Sequence, residues 1–111
     1  MLYSLIKTLN QQFGEQAIVV SIPVSIAKER LGYYNHNDGT INVCEENILD
    51  NNELVHVCLH EYAHFLQHKE EPTCFDLYKQ ECTHYGYENH PLEIAAEQFA
   101  MLWEGRYQNE Q

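Results

Sequence analysis

Four histidines recur at every fourth position in the segment HVCLHEYAHFLQH, residues 56–68. Residues at this spacing lie one above the other on an α-helix, about 6 Å apart along its axis. Two imidazoles placed in this way can bind one metal ion, whereas residues eight apart are separated by about 12 Å, which is too far for one tetrahedral zinc site. The spacing therefore predicts a metal site on one adjacent pair among His56, His60, His64 and His68.

The residue that follows each histidine narrows the choice of pair. A zinc ion that hydrolyses a bond needs a carboxylate beside it, which takes the proton from the zinc-bound water. On a helix, the residue after the first histidine is rotated by about 100° and so reaches the water rather than the ion. Only His60 is followed by a glutamate, in the sequence HEYAH at residues 60–64. We therefore predict His60 and His64 as metal ligands and Glu61 as the catalytic base.

A third ligand is predicted in the segment EIAAEQFA, residues 93–100. Its two glutamates are four residues apart and share a helix face, and the alanines between them would let this helix approach the histidine helix closely. Glu93 can then complete a His-His-Glu site for one zinc ion per chain, with the fourth position left to water. We expect Glu97 to accept the second ring N–H of a ligand histidine, His60, which fixes the tautomer of the ring and raises its basicity.

Plainer interpretations of the same residues remain open. The histidine helix can be a polar face without a metal, and Glu93 and Glu97 can lie on a solvated face. We expect His68 to be a favourable cation near the C-terminus of its helix. His56 is expected to be packed or partly exposed.

Two further groups of residues carry weaker patterns. Oxyanion stabilisation usually needs an additional donor. The candidates upstream of Glu93, each of which ordinary loop packing explains better, are His84, Tyr85, Tyr87 and His90. A second metal site can be drawn on the spacing C-x7-C-x-H, which matches no strong pattern. Its residues would come from Cys74, Cys82, His84 and His90.

Hydrophobic periodicity predicts the elements in the first half of the chain. Residues 2–13 have the apolar spacing of an amphipathic helix, with Gly14 at its exit. The apolar run AIVVSIPV, from Ala17, predicts a buried strand, and LGYYNHNDGTINVC predicts a hairpin that turns at residues 37–39. Its second arm, residues 40–44, is predicted to be an edge strand to which an extended substrate can pair.

The second half of the chain is predicted to be helical at both motifs. The histidine helix should be capped by one of residues 50–52 and should end near Lys69. Residues 70–90 are irregular by pattern, although FDLYKQECTHY can contain a helical turn or two. Asn89 or His90 caps a last helix with Pro91 near its first position. The packing side of that helix is expected to carry Leu92, Ala95, Ala96, Phe99, Leu102 and Trp103.

The predicted fold is a small single α+β domain over residues 1–111. It contains an N-terminal helix, a short three-stranded sheet with a hairpin, an active-site helix and a glutamate helix. A chain of 111 residues has room for one modest core and not for a second.

Composition excludes several classes of protein. Six basic residues face seventeen acidic ones, which gives a net charge of −11. Such a surface repels phosphate backbones and anionic lipids, so we expect neither a nucleic-acid nor a membrane partner. The N-terminus lacks the apolar region of a secretory signal, and no run approaches transmembrane length. The four scattered cysteines are read as reduced thiols in a cytoplasm, although a Cys74–Cys82 disulfide is conceivable.

The two motifs together resemble a known family. HEYAHFLQH followed by EIAAEQFA is similar to the gluzincin metallopeptidases, in which HExxH precedes a helix that bears Glu and, four residues later, an acidic residue. The chain length and the hairpin are closer to minimal gluzincins and to ImmA/IrrE-type peptidases, in which a histidine often stands where His68 does and a segment ending in Phe-Ala follows. The resemblance implies zinc bound by His60, His64 and Glu93, with Glu61 as general base.

These patterns lead to one predicted function and two alternatives. The predicted function is a zinc-dependent endopeptidase that hydrolyses peptide bonds in a narrow protein or peptide substrate, since a chain this short has little room for deep subsites. One alternative is a non-catalytic, zinc-containing acidic interaction protein, such as a phage- or plasmid-type inhibitor or a nucleic-acid mimic, supported by the charge of −11. The other is a packing domain without metal. Glu61 argues against the first alternative, because a structural zinc has no use for a base.

Overall fold

The three strands that the structure describes all lie in the first half of the chain, and three long helices follow them. The computed structural model describes the backbone of residues 1–85 and 90–108 and the side chains of residues 1–80 and 90–108. A 3₁₀ turn, Glu45–Asn47, precedes the long helices. In chain order, the other elements are α1 (Leu2–Phe13), β1 (Ile18–Ser21), α2 (Val24–Ala27), β2 (Gly32–Asn35), β3 (Thr40–Val43), α3 (Asn51–Glu70), α4 (Pro72–Tyr85) and α5 (Pro91–Gln108).

Helix α1 has the predicted bounds. Gly14 ends it in the left-handed conformation, with φ 67°, and its N–H donates to the carbonyl of Asn10. Glycine adopts this conformation readily because it has no Cβ. The side-chain amide of Asn10 also exchanges two hydrogen bonds of 3.0 Å with the backbone of Ala17, which ties the start of β1 to α1. The buried face of the helix consists of Leu2, Leu5, Ile6 and Leu9.

The three strands form one mixed sheet in the order β1-β3-β2. Strand β3 pairs in parallel with β1 and antiparallel with β2, and the β2–β3 hairpin is confirmed, with Gly39 at φ 75° in its turn. The expectation that residues 40–44 form an edge strand is wrong, because the crossover from β1 places the second arm of the hairpin in the centre. The edges are β1 and β2.

The expectation that β1 is a buried strand is also wrong. Ile18 is 62% exposed and Val20 38% exposed. An edge strand has a neighbour on one side only, and the buried residue at this end of the sheet is Ala17, just before the strand begins. The apolar run reflects strand propensity in this case and not burial.

Helix α3 carries the histidine motif through the centre of the molecule. Its cap is Asp50, whose side chain accepts a hydrogen bond of 2.9 Å from the N–H of Glu53. The Glu53 side chain in turn accepts from the N–H of Leu49 at 2.9 Å, so both groups order the first turn. The helix ends at Glu70, one residue after the predicted end. Both ends of the predicted helix are therefore confirmed.

Helix α4 occupies a segment that was predicted to be irregular, with at most a helical turn or two in FDLYKQECTHY. Residues 72–85 form fourteen residues of continuous helix. Pro72 takes the first position, where its missing N–H is harmless. Phe75 and Tyr78, three residues apart, are fully buried against α3. The allowed helical turns are therefore present, but the helix is longer than predicted. The sequence shows no long apolar period here, because two buried rings are enough to pack the helix against α3.

Helix α5 begins at Pro91 and is capped by His90, as predicted. The Nδ1 atom of His90 accepts a hydrogen bond of 3.1 Å from the N–H of Leu92. The expected packing side is partly wrong, since Ala95 is exposed and Leu102 is 76% exposed. The buried side contains Glu93, Ala96, Ala100 and Tyr107. The helix therefore turns its glutamates, and not its largest apolar residues, towards α3.

An aromatic group joins α1, α3 and α5 beside the sheet. The ring of Phe13 lies 5.6–5.8 Å, between centroids, from the rings of Tyr62, Phe99 and Trp103. Helix makes up 67% of the structure, and together with the small sheet it confirms the predicted α+β class. None of the helices in the described part of the chain is long and apolar enough to span a bilayer.

Candidate metal centre

Helices α3 and α5 bring together the three predicted ligands. The Nε2 atoms of His60 and His64 both face the carboxylate of Glu93, and the three potential ligand atoms lie within 4.8 Å of one another. His64 Nε2 is 3.1 Å from Glu93 Oε2, while His60 Nε2 contacts Glu93 Oε1. A tetrahedral ion with ligands at about 2.0–2.1 Å sets its ligand atoms roughly 3.3 Å apart. The donor set therefore fits a metal ion with small side-chain shifts.

The second nitrogen of each histidine has its own acceptor. His60 Nδ1 donates to Glu97 Oε2 at 2.9 Å, as predicted, and His64 Nδ1 donates to Gln67 Oε1 at 2.8 Å. The Gln67 amide is oriented by its other end, because its Nε2 donates to the carbonyl of Leu92 at 2.9 Å. A proton held on Nδ1 leaves Nε2 as the atom that can coordinate a metal. Both rings thus have Nδ1 hydrogen-bonded and Nε2 directed at Glu93, which is the orientation that a metal site requires.

Burial and hydrogen bonding shift the pKa values of the ligand side chains in opposite directions. Burial alone would lower the pKa of His60, but the hydrogen bond to Glu93 and the charges of Glu61, Glu93 and Glu97 raise that pKa to about 9. Burial alone would raise the pKa of Glu93, yet hydrogen bonds from His60, His64 and Tyr78 hold it far below its usual value. Glu93 is therefore an anion at the point where a cation would bind.

Tyr78 is a contact of this site that the sequence patterns did not identify. Its hydroxyl donates to Glu93 Oε2 at 2.6 Å, and its ring stacks on that of His64 with centroids 5.6 Å apart. Both contacts come from α4, for which only a helical turn or two was predicted. The three-residue spacing of Phe75 and Tyr78, directly after Pro72, was the signal that could have identified the helix and this tyrosine.

Glu97 is part of a chain of hydrogen-bonded side chains along the α3–α5 interface. Its Oε1 lies 2.5 Å from His56 Nε2, and His56 Nδ1 lies 2.6 Å from Glu104 Oε2. The contacts run from Glu93 through His60, Glu97 and His56 to Glu104. His56 is half-buried, as expected, but its pairing with Glu104, 48 residues away, was not predicted.

Glu61 lies beside the histidines, in a cavity of about 600 Å³ that His60, Val57 and Glu97 also line. The Glu61 residue is only 6% exposed, and its carboxylate has no hydrogen bond recorded within the described side chains. Burial raises its pKa, while the charges of His64 and His60 act in the opposite direction. A carboxylate with a raised pKa is suited to accepting and returning a proton near neutral pH.

The edge strand β2 forms one wall of the same cavity. Leu31, Gly32 and Tyr33 line it. A Cβ on Gly32 would lie 2.8 Å from the carbonyl oxygen of Asn42, 3.0 Å from Val57 Cγ1 and 3.7 Å from Glu61 Cγ, so only glycine lets the strand approach α3 this closely. The N–H of Cys44 donates to the carbonyl of Leu31, so these two residues are a hydrogen-bonded pair of the β2–β3 ladder. Hydrogen-bonded and non-hydrogen-bonded pairs alternate along an antiparallel ladder. The N–H and C=O of Gly32, in the next pair, therefore point away from β3.

The remaining predicted residues have other positions or lie outside the description. His68 is hydrogen-bonded to the Tyr34 hydroxyl at 2.8 Å and packs on Phe75, in the last turn of α3. His90 caps α5 through the ring nitrogen described above. Cys44, Cys58 and Cys74 are free thiols, and Cys74 contacts Glu71. The side chains on which the second metal site, the disulfide and the other oxyanion donors depend lie outside the described residues; they are Cys82, His84, Tyr85 and Tyr87.

Comparison with protein families, curated proteins and solved structures finds no match for this chain. The resemblance to gluzincins therefore stays a prediction, based on the two helical motifs. The class of site that the fold defines is a buried His-His-Glu group that could hold a metal ion.

Proposed function

We propose that this protein is a zinc-dependent endopeptidase of gluzincin type. The observation that carries the proposal is a His-His-Glu ligand set at the edge of a cavity. One of the ligands, His60, lines that cavity together with the buried carboxylate of Glu61 and with Gly32 of an edge strand, whose backbone groups point outward. Two nitrogens and one carboxylate oxygen are a ligand set that zinc favours in hydrolytic sites.

Different residues of the chain have different roles in the proposed hydrolysis. When bound, the ion would supply a Lewis acid that polarises the scissile carbonyl and makes a water molecule more acidic. Glu61 accepts the proton of the attacking water and delivers it to the amine nitrogen as the peptide bond breaks. Glu97 and Gln67 hold the two imidazoles in orientation through their Nδ1 atoms. Tyr78 holds the carboxylate of Glu93.

Strand β2 is the proposed docking edge for an extended substrate. The substrate would add a strand beside Gly32, with backbone hydrogen bonds supplying affinity in any sequence. The proximity of Gly32 to Glu61 means that a chain paired there passes the proposed base. This replaces the earlier expectation that β3 is the pairing edge.

The test compares wild-type protein with Glu61→Gln. Both are prepared without chelator, analysed for zinc, and incubated with a peptide library derived from a proteome digest, with new termini read by mass spectrometry. We expect about one zinc per chain in both proteins and cleavage products only in the wild type. The loss should be at least about 10²-fold, as for removal of a general base.

Two results would contradict the proposal. One is a protein that takes up no zinc, and the other is cleavage that persists in Glu61→Gln. The charge of −11 favours a second candidate, a non-catalytic zinc protein that binds a basic partner. That candidate is favoured if the Glu61→Gln protein retains its zinc and its fold and binds a basic partner as tightly as the wild type does.

A further inference from the structure

Two of the six basic residues of this acidic chain line the cavity that contains His60 and Glu61. Arg30 lies two residues before the start of β2, and Lys79 lies on α4. They reach the same cavity from separate elements. The same cavity is lined by two carboxylates, those of Glu61 and Glu97, so its cations equal its anions in number, whereas acidic residues outnumber basic ones by seventeen to six in the whole chain.

Neither cation has a carboxylate partner among the described side chains, whose ion pairs involve His56, His60, His64 and Lys69. Both lie against aromatic rings instead. The guanidinium of Arg30 is 5.2 Å from the centroid of Tyr33, and the ammonium of Lys79 is 5.3 Å from that of Tyr78. A ring face orients a cation but leaves its N–H donors available to an oxygen ligand.

The backbone around Arg30 is fixed in place. Asn47 donates from its side-chain amide to the carbonyls of Lys28 and Arg30, at 2.8 and 2.9 Å. The N–H of Arg30 donates to the carbonyl of Ala27 at 3.1 Å. Arg30 is therefore presented from an ordered turn, which lowers the entropy lost when its side chain binds a ligand.

Neutralising Glu61 does not account for these cations. The Lys79 charge lowers the pKa of Glu61, but neither cation forms an ion pair with Glu61 or Glu97, the two carboxylates of the cavity, among the described side chains. Within the described part of the chain, the N–H donors of Arg30 and Lys79 are therefore available to a group from outside it.

We propose that Arg30 and Lys79 form a carboxylate-binding subsite, so that the substrate carries an acidic group close to the scissile bond. The group is either an Asp or Glu side chain or the C-terminal carboxylate of a short peptide. Charge-assisted hydrogen bonds from Arg30 and Lys79 would bind this carboxylate. They would have to outweigh the repulsion between the carboxylate and the acidic surface of the protein. This inference rests on the proposed peptidase function, whose substrate class it specifies.

Metal-loaded protein and matched peptide hydroxamates test the subsite without a known substrate. Cobalt(II) replaces zinc, so that anchoring of the hydroxamate is visible in the absorption spectrum. One pair of probes differs by Glu against Gln, and a second by a free C-terminal carboxylate against its amide. We expect one acidic probe to bind at least about tenfold more tightly than its amide, and the pair that responds identifies the source of the carboxylate.

Substitution then assigns the preference to the two residues. Arg30→Gln and Lys79→Gln should each reduce the preference several-fold, as expected for a charged hydrogen bond. Lys7→Gln removes the same charge from an exposed position on α1, outside this cavity, and should leave the preference unchanged.

Equal affinity for acidic and amide probes in the wild type overturns the subsite. A preference that survives in both cavity variants, or that falls equally in Lys7→Gln, also overturns it. The wild-type comparison needs no variant to fold. Failure to take up metal, or absence of any hydroxamate binding to metal-loaded protein, overturns the proposed function and the subsite with it. Binding of all probes without preference overturns the subsite alone.

Discussion

At the scale of single residues, the predicted chemistry depends on the protonation of His60. In the metal-free protein its pKa is about 9, with burial opposed by the hydrogen bond to Glu93 and the charges of three nearby glutamates. The ring therefore carries a proton at neutral pH, which a metal must displace from Nε2. Because the pKa is raised by folding, the charged ring stabilises the metal-free fold below about pH 6.5, and this contribution is lost as the pH rises through about 9.

The zinc affinity should consequently increase with pH. Release of one proton from His60 predicts a rise of up to about tenfold in apparent affinity per pH unit, levelling off near pH 9. Competition with a zinc-sensitive chelator between about pH 6.5 and about pH 8.5 measures this slope, and calorimetry in two buffers counts the protons released. An affinity that stays flat across this range would show that zinc displaces no proton from the ring.

At the scale of elements, α3 and α5 are joined by the hydrogen-bond chain from Glu93 to Glu104. Glu97 contacts both His60 and His56, and Glu104 holds the far nitrogen of His56. Removal of a group that orients a metal ligand typically lowers metal affinity by about 10–100-fold. His56 and Glu104 lie one and two contacts beyond Glu97 and act on the site only through it. Their removal should therefore lower metal affinity less than removal of Glu97.

We expect Glu97→Gln to weaken zinc binding about tenfold or more and Glu104→Gln to weaken it a few-fold. Glu70→Gln, an exposed change of the same kind at the end of α3, is the matched control and should bind zinc as the wild type does. Chelator competition gives the affinities, and the visible spectrum of the cobalt protein reports the ligand geometry. If Glu104→Gln binds as tightly as Glu70→Gln, with an unchanged spectrum, the outer part of the chain does not position the site.

The approach of β2 to α3 gives a second prediction at this scale. Gly32→Ala would bring a methyl within 2.8 Å of the Asn42 carbonyl and 3.0 Å of Val57. The resulting shift of the strand should destabilise the protein by about 1–3 kcal/mol and widen the gap to Glu61. In Gly105→Ala, the new methyl meets nothing within 4 Å inside helix α5, and it should stabilise by about 0.5–1 kcal/mol. Denaturant unfolding compares the two, and effects of the same sign would contradict this account.

The spacing of residues along helices was enough to predict that His60, His64 and Glu93 lie together, because HEYAH and EIAAE each place their polar residues on one face of a helix. Strand order and partners from distant elements could not be predicted in this way. Residues 40–43 form the central strand because β1 crosses over to pair with them in parallel, and nothing local to the hairpin indicates that. The contributions of Tyr78 and Lys79 to the site were not predicted. Two buried aromatic rings pack α4 against α3, and α4 lacks the long run of regularly spaced apolar residues from which a helix is predicted.

At the scale of the whole molecule, the site connects the central helix to the last one. His60 and His64 belong to α3, whereas Glu93 belongs to α5, which also packs on α1 through Phe99 and Trp103. An ion bound by all three side chains would link both halves of the core. A ligand that binds only the folded state stabilises it by about 2.7 kcal/mol at a free concentration 100 times its Kd.

Zinc should therefore raise the unfolding temperature of the entire domain. A gain of about 2.7 kcal/mol corresponds to a shift of roughly 10 °C for a chain of this size. We expect a chelator to reverse the shift, Glu61→Gln to retain it in full, and Glu93→Gln to lose most of it, because only the last change removes a ligand. Scanning calorimetry with and without zinc measures all three. Equal shifts in the Glu61 and Glu93 variants would indicate that zinc acts elsewhere on this acidic surface, and the link between α3 and α5 would then not be made by the metal.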